Sequence, residues 1–159
     1  MDVTYQSGEG RFNFRVAALF FFENKLLVMK DEQSPYYYLP GGRVKLHETT
    51  EDAILREVRE ELELQVSVER LVWVVESFFV EDVSKEKFHE LGFYYTIDFS
   101  KTDLLRRGKA FTLHEGGSHD LEFSWVDRKE IKNLYFYPAF LREHIFNLPG
   151  TTEHLVEFE

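Results

Sequence analysis

Three carboxylates, Glu57, Glu60 and Glu61, stand at relative offsets of zero, three and four in the segment 42–64, GRVKLHETTEDAILREVREELEL. On a helix those offsets fall on one side and within reach of a common ligand. Oxygen-only donors of this kind suit a hard divalent cation. Such a cation points to metal-assisted chemistry on a phosphate ester. The same stripe is also what a solvated helix face looks like, and in a chain with 21 Glu among 159 residues glutamates often coincide. Against that, like charges at these offsets cost roughly 0.2–0.5 kcal/mol per pair, and no lysine on the helix they would share offsets them.

The element that must carry these side chains is well signalled. Thr49 is a good N-cap, Asp52 lies three residues on, and Glu51 and Asp52 put negative charge in the first turn, where the macrodipole favours it. Ile54, Leu55, Val58 and Leu62 gather on one side for burial, with the glutamates about a quarter to a third of a turn away. Ala53 is expected on the acidic side, small enough to leave room above Glu57. Just upstream, Leu39-Pro40-Gly41-Gly42 offers two glycines, which allow backbone to approach a metal or phosphate closely.

The wider spacing resembles the signature of the Nudix hydrolase family, of MutT-like type: a glycine, five residues, a glutamate, seven residues, then Arg-Glu-aliphatic-any-Glu-Glu-any-Gly-aliphatic. The matching residues are Gly42, Glu48, Arg56, Glu57, Val58, Glu60, Glu61 and Leu64. Glu63 departs from the pattern, standing where the family has its last glycine. A non-glycine residue pays roughly 1–2 kcal/mol for the left-handed exit that glycine normally provides, so a prolonged or differently turned helix end is one expectation. The resemblance implies that Glu57, Glu60 and Glu61 bind Mg²⁺ or Mn²⁺, with a carbonyl of the Gly41–Gly42 turn, assigned to Gly42, as a further ligand. It implies that Arg56 holds the carboxylates and pairs with Glu48. The activity implied is Mg²⁺-dependent hydrolysis of the pyrophosphate bond of a nucleoside diphosphate linked to another moiety, such as a nucleoside triphosphate, ADP-ribose or a nucleotide sugar. The alternative is a noncatalytic module of the same fold that senses a nucleotide-like ligand. Isoprenoid diphosphate isomerisation is disfavoured, because the related enzymes use a cysteine and this chain has none.

Outside the motif the candidates are weaker. In this family a general base often comes from a glutamate on a later loop or strand; Glu115, Asp120 and Glu122 qualify by position, and Glu122 is the residue chosen. Arg15, Tyr38, Gly41, Gly42 and Arg43 are assigned to substrate binding, arginines as bidentate phosphate grips and tyrosines as stacking surfaces. Arg11, Tyr36, Tyr37, Phe12 and Phe14 are further candidates of the same kinds. His47, His89, His114 and His119 could serve as acid–base groups, although a lone histidine is more often a satisfied polar residue. Glu90 lies inside an apolar run and points either into a site or to an exposed strand face.

Composition bounds the rest. A chain of 159 residues, 43% hydrophobic and without a long linker, fits a single domain over 1–159 with a sizeable core. Without cysteine there is neither a disulfide framework nor a thiolate metal site. The start lacks a signal-peptide layout and no apolar run approaches membrane-spanning length, so a cytoplasmic protein without a membrane partner is the default. A formal charge of −10 disfavours long nucleic acid but not a metal-chelated phosphate. Exposed strand edges and aromatic richness leave room for a homodimer.

Hydrophobic patterning predicts a hairpin of Phe12–Phe22 with Lys25–Lys30, long strands over Val66–Val80 and Phe88–Phe99, and a short strand Leu121–Val126. Ser100–Asp120 reads as a long loop, Asp127 as a cap for a helix with Glu130 at its third position, and Pro138 as the first turn of another helix ending near Phe146. His154–Phe158 reads as a final edge strand. Strands, a helix, more strands and then helices give an α/β class, and the resemblance makes it a Nudix-type α/β/α sandwich around a mixed β-sheet.

Overall fold

The computed structural model describes residues 1–115 and 119–159, the side chain of Glu115 aside. Strands β1 (Thr4–Ser7), β2 (Gly10–Leu19), β5 (Gly41–Arg43), β6 (Ser67–Val80), β7 (Lys87–Asp98) and β10 (Glu153–Phe158) form one sheet, and β3 (Phe21–Phe22), β4 (Lys25–Asp31), β8 (Ala110–Glu115) and β9 (His119–Asp127) form a second. The first runs in the order β1-β2-β7-β6-β10, with β5 paired to β2; β2–β7 and β6–β10 are parallel, so the sheet is mixed. The second runs β3-β4-β9-β8. Helices α1 (Thr50–Leu62), α2 (Arg128–Asn133) and α3 (Leu141–His144) cover them.

The run VAALF, which ends β2 and continues into Phe20, is apolar without alternation, because side chains of both parities are buried. Val16, Ala18 and Phe20 enter a core with Ile54, Val58 and Leu62 of α1, while Ala17 and Leu19 enter another with Ile131 of α2 and Leu141 of α3. Each fully buried aliphatic side chain on α1 contributes roughly 1.5–3 kcal/mol, which anchors the helix and hence the position of its glutamates. Ala53, expected beside the carboxylates with space above it, is instead completely buried in the first core. A methyl group there lets α1 lie close to the sheet.

Other expectations are corrected in detail. The hairpin exists only at its tip: Glu23 and Asn24, both at positive φ (48° and 64°), turn β3 into β4. The strand before it belongs to the other sheet, because the chain crosses over at Phe20. Residues 116–118 of the segment 100–120 lie outside the described residues; the rest is not a long loop but holds a short 3₁₀ turn, Leu104–Arg107, and β8, whose Phe111 stacks on Phe123 of β9 at 5.1 Å. Pro138 stands three residues ahead of the short helix α3 rather than in its first turn, and its carbonyl accepts the Leu141 N–H at 3.2 Å. Asp127 and Glu130 form the capping box of α2, and β10 adds an edge strand parallel to β6.

The exit of α1 is neither prolonged nor differently turned. Glu63 adopts the left-handed conformation itself (φ 57°, ψ 40°), and its N–H donates to the Arg59 carbonyl at 3.0 Å. Arg107 of the 3₁₀ turn donates to the Leu62 carbonyl at 2.7 Å, satisfying another acceptor of the last turn. Glutamate therefore takes the conformation of the missing glycine, with packing and Arg107 offsetting its strain.

Candidate active site

Arg56 organises the acidic face of α1, and all five of its N–H groups find acceptors. Its Nε and Nη2 grip Glu48 at 2.7 and 2.9 Å, its Nη1 donates to Glu57 at 2.9 Å and Glu60 at 3.3 Å, and Nη2 also reaches the Arg43 carbonyl at 3.0 Å. This fork ties the helix to the β5 strand and to the loop that carries Glu48. The hydrogen bonds from Arg56 hold the Glu48 carboxyl well below its usual range, at about 2. Arg56 itself is pushed further above the ordinary arginine range, chiefly by Glu48.

The two glycines of β5 serve different neighbours. A Cβ on Gly42 would lie 2.4 Å from the Glu57 carboxyl carbon, so the absence of a side chain is what lets that carboxylate rest on the strand. Burial raises the pKa of Glu57 despite the Arg56 contact, which gives its carboxylate a heightened affinity for a proton or a cation. Gly41 has φ 156°, and a Cβ there would come 2.1 Å from the Val16 carbonyl oxygen. Its N–H donates to Glu61 at 2.9 Å, fixing that buried carboxylate at the end of β5.

The helix thus brings Glu57, Glu60 and Glu61 to the side facing β5. Among the described residues no three Asp, Glu or His side chains already converge on one ion position. Glu57 and Glu60 share Arg56, and Glu60 is the most exposed of the three. The donor set nevertheless fits a hard divalent ion: all oxygen, multiply negative, and with Glu57 cradled where a Cβ would fill the space. Glu57, Glu60, Glu61 and a carbonyl at Gly42 are the groups that would hold it.

Beside this face opens a cavity of about 410 Å³. Arg15, Tyr38, Gly41, Gly42 and Arg43, all singled out from sequence, line it together with Glu61. Burial works against the charge on Arg15, but Glu90, Tyr94 and Glu61 around it outweigh that and raise its pKa. Tyr38 donates to Asp31 at 2.6 Å and Tyr36 to Glu81 at 3.0 Å, so both rings are locked at the wall. Burial and Asp31 push the Tyr38 phenol far above its ordinary value, and burial with Glu81 pushes Tyr36 up to about 12.

Several candidates lie elsewhere. Glu122 is exposed on β9 of the second sheet, opposite Lys30 and Thr112, and is not among the residues lining the cavity; alternation along β9 turns Leu121 and Phe123 inward and Glu122 out. Asp120 pairs with His114 on that sheet, and the Glu115 side chain lies outside the described residues. His89 sits between Phe12 and Phe78 in an aromatic row, Phe14 packs in the first core, and Tyr37 lies under the Lys30 ammonium. Arg11 pairs with Glu86, and His47 occupies an exposed left-handed turn. Glu90 does face the cavity, and so do Asn13, Ser77 and Phe79, which sequence reasoning passed over. The signal for Asn13 was present: Arg11, Asn13 and Arg15 alternate with Phe12, Phe14 and Val16, giving β2 a polar face.

Two sheets with helices on both faces, and a glutamate-bearing helix docked on a glycine strand, define a MutT-like α/β sandwich. A sequence model of the NUDIX domain matches residues 12–147, and the chain belongs to the NUDIX family of hydrolases. An ADP-ribose pyrophosphatase of Methanocaldococcus jannaschii is 40% identical over 58 residues, which span 35% of this chain and 34% of that protein. Among solved structures, a NUDIX hydrolase from Nitrosomonas europaea superposes with a TM-score of 0.59 at 17% identity, covering 92% of this chain and 79% of that one. A MutT protein from Methanosarcina mazei Go1 gives 0.57 at 23% identity, covering 89% and 96%. At these identities the likeness is one of fold.

Proposed function

We propose that the protein is a Mg²⁺- or Mn²⁺-dependent pyrophosphohydrolase acting on a nucleoside diphosphate linked to a further group. The observation that carries this reading is the shared wall: Glu61, Gly41 and Gly42 belong both to the acidic helix–strand junction and to the 410 Å³ cavity lined by Arg15 and Tyr38. A diphosphate lying across that wall would have its phosphates beside the carboxylate face and the rest of the molecule in the cavity. Bound there, the ion would neutralise phosphate charge and acidify a coordinated water. Arg56 keeps Glu57 and Glu60 oriented, Gly41 keeps Glu61 oriented, Arg43 offers its guanidinium to the phosphate that does not react, and Arg15 is left to the rest of the molecule in the cavity. Water forms the new P–O bond and the anhydride P–O bond breaks, leaving two phosphate-bearing products.

The test is hydrolysis of nucleoside triphosphates, ADP-ribose, dinucleoside polyphosphates and nucleotide sugars with Mg²⁺, by the native chain and by Glu60→Gln. Cleavage of at least one class is expected, with kcat lowered at least about a hundredfold in the variant. No cleavage across the panel, or full activity in Glu60→Gln, overturns the reading.

A further inference from the structure

We propose that Glu90 selects the ligand of this cavity, its carboxylate accepting two adjacent N–H groups from a flat heterocycle of the guanine type. The inference rests on the reading of the cavity as the substrate pocket.

Glu90 belongs to a polar row that crosses four strands in register: Thr4 of β1 opposite Asn13 of β2, Asn13 opposite Glu90 of β7, and Glu90 opposite Ser77 of β6. Residues so paired project to the same side of a sheet. Asn13 and Ser77 are only 4% and 6% exposed, so the row is built into the floor rather than scattered on a surface. Thr4 donates to the Asn13 Oδ1 at 2.6 Å, and Arg11, paired with Glu86, donates to the Thr4 hydroxyl at 3.4 Å. The Asn13 amide stands in register beside Glu90 and favours the charge on its carboxylate. Strand register and the Thr4–Asn13 bond thus set the polar row around the carboxylate before any ligand arrives. Burial raises the pKa of Glu90, and Arg15 opposes that shift.

The surroundings are flat and aromatic. On the neighbouring pair of positions Phe79 and Phe88 stack at 5.1 Å and 4° between planes, Tyr137 stands 6.3 Å from Phe79, and Tyr36 stands 4.8 Å from Tyr137. On the other side Arg15 lies opposite Gly92 across β2 and β7, where the Tyr94 ring stands 3.1 Å from the position a Cβ would take. A carboxylate only accepts, and a guanidinium only donates. Guanine complements both, since N1–H and N2–H₂ lie side by side and O6 is next to them. Adenine sets the acceptor N1 beside its amino group, and uracil flanks its single N–H with carbonyls. Either would leave a carboxylate oxygen facing a lone pair, and a polar site rejects such mismatches strongly.

The experiment is calorimetric binding of the α,β-methylene diphosphates of guanosine, adenosine and uridine in Mg²⁺ buffer to the native chain, Glu90→Gln and Glu90→Asp. The native protein is expected to prefer the guanosine compound by at least about tenfold. The ratio should fall to near one in Glu90→Gln and be partly kept in Glu90→Asp. Because each ratio is read within one preparation, loss of folded protein does not alter it. Equal binding of all three bases by the native chain, or an unchanged ratio in Glu90→Gln, overturns the proposal. Base-indifferent binding that still weakens in Glu90→Gln overturns it in favour of a sugar diol as the donor pair. Hydrolysis is scored separately: base selectivity without cleavage removes the enzymatic reading alone, and indiscriminate cleavage removes this one alone.

Discussion

At the scale of single residues, the two adjacent glycines of β5 separate folding from function. Gly41 faces backbone: an added Cβ would sit 2.1 Å from the Val16 carbonyl oxygen and 2.9 Å from the Ala17 Cα, and neither atom can move without shifting β2. Gly42 faces the movable end of Glu57, with the nearest carboxyl atoms at 2.4 Å. Gly41→Ala is therefore expected to destabilise the protein by about 2–3 kcal/mol through overpacking and strain. Gly42→Ala is expected to cost about 1 kcal/mol or less, the Glu57 carboxylate swinging aside, but to weaken divalent-ion binding at least about tenfold. Urea unfolding and ion titration of the two variants check the contrast. Equal loss of stability in both would show that Glu57 cannot give way.

At the scale of elements, the C-terminus of α1 carries a measurable strain. Glu63 holds φ 57° where the NUDIX signature has glycine, and replacing it removes the Cβ penalty without touching a core side chain. Glu63→Gly is expected to stabilise by about 0.5–1 kcal/mol, a rise in Tm of roughly 1–4 °C for a chain of this size, read by thermal unfolding. An unchanged or lowered Tm would mean that unfolded-chain entropy outweighs the relieved strain. The same helix shows what a sequence can reveal. Its cap, buried stripe and glutamates were legible because they are periodic and local. The meeting of Glu90 with Asn13 and Ser77 was not, because strand register brings them together across 77 and 13 positions of chain, so Glu90 could be read from sequence only as facing either a site or solvent. Glu122 misled for the same reason: its position late in the chain looked favourable, while the sheet it belongs to and the side it faces depend on pairing with β4 and β8.

At the scale of the whole molecule, charge distribution decides how the protein answers divalent ions. The chain carries a formal charge of −10, and part of that charge is concentrated where Glu57 and Glu60 share Arg56 and Glu61 stands on the Gly41 N–H. Any salt screens the general excess of charge, whereas only an ion that enters the carboxylate face of the native state binds one state and not the other. Mg²⁺ at about a hundred times its dissociation constant should therefore stabilise the fold by about 2.7 kcal/mol, with a Tm that climbs with concentration. NaCl at matched ionic strength should give a smaller, saturating rise. In Glu57→Gln the Mg²⁺ curve should collapse onto the NaCl curve, because the buried carboxylate with raised proton affinity is the group whose charge the ion compensates. If Mg²⁺ and NaCl prove indistinguishable in the native chain, the three glutamates serve Arg56 and the Gly41 N–H instead of an ion, and the helix face loses its claim to be a metal centre.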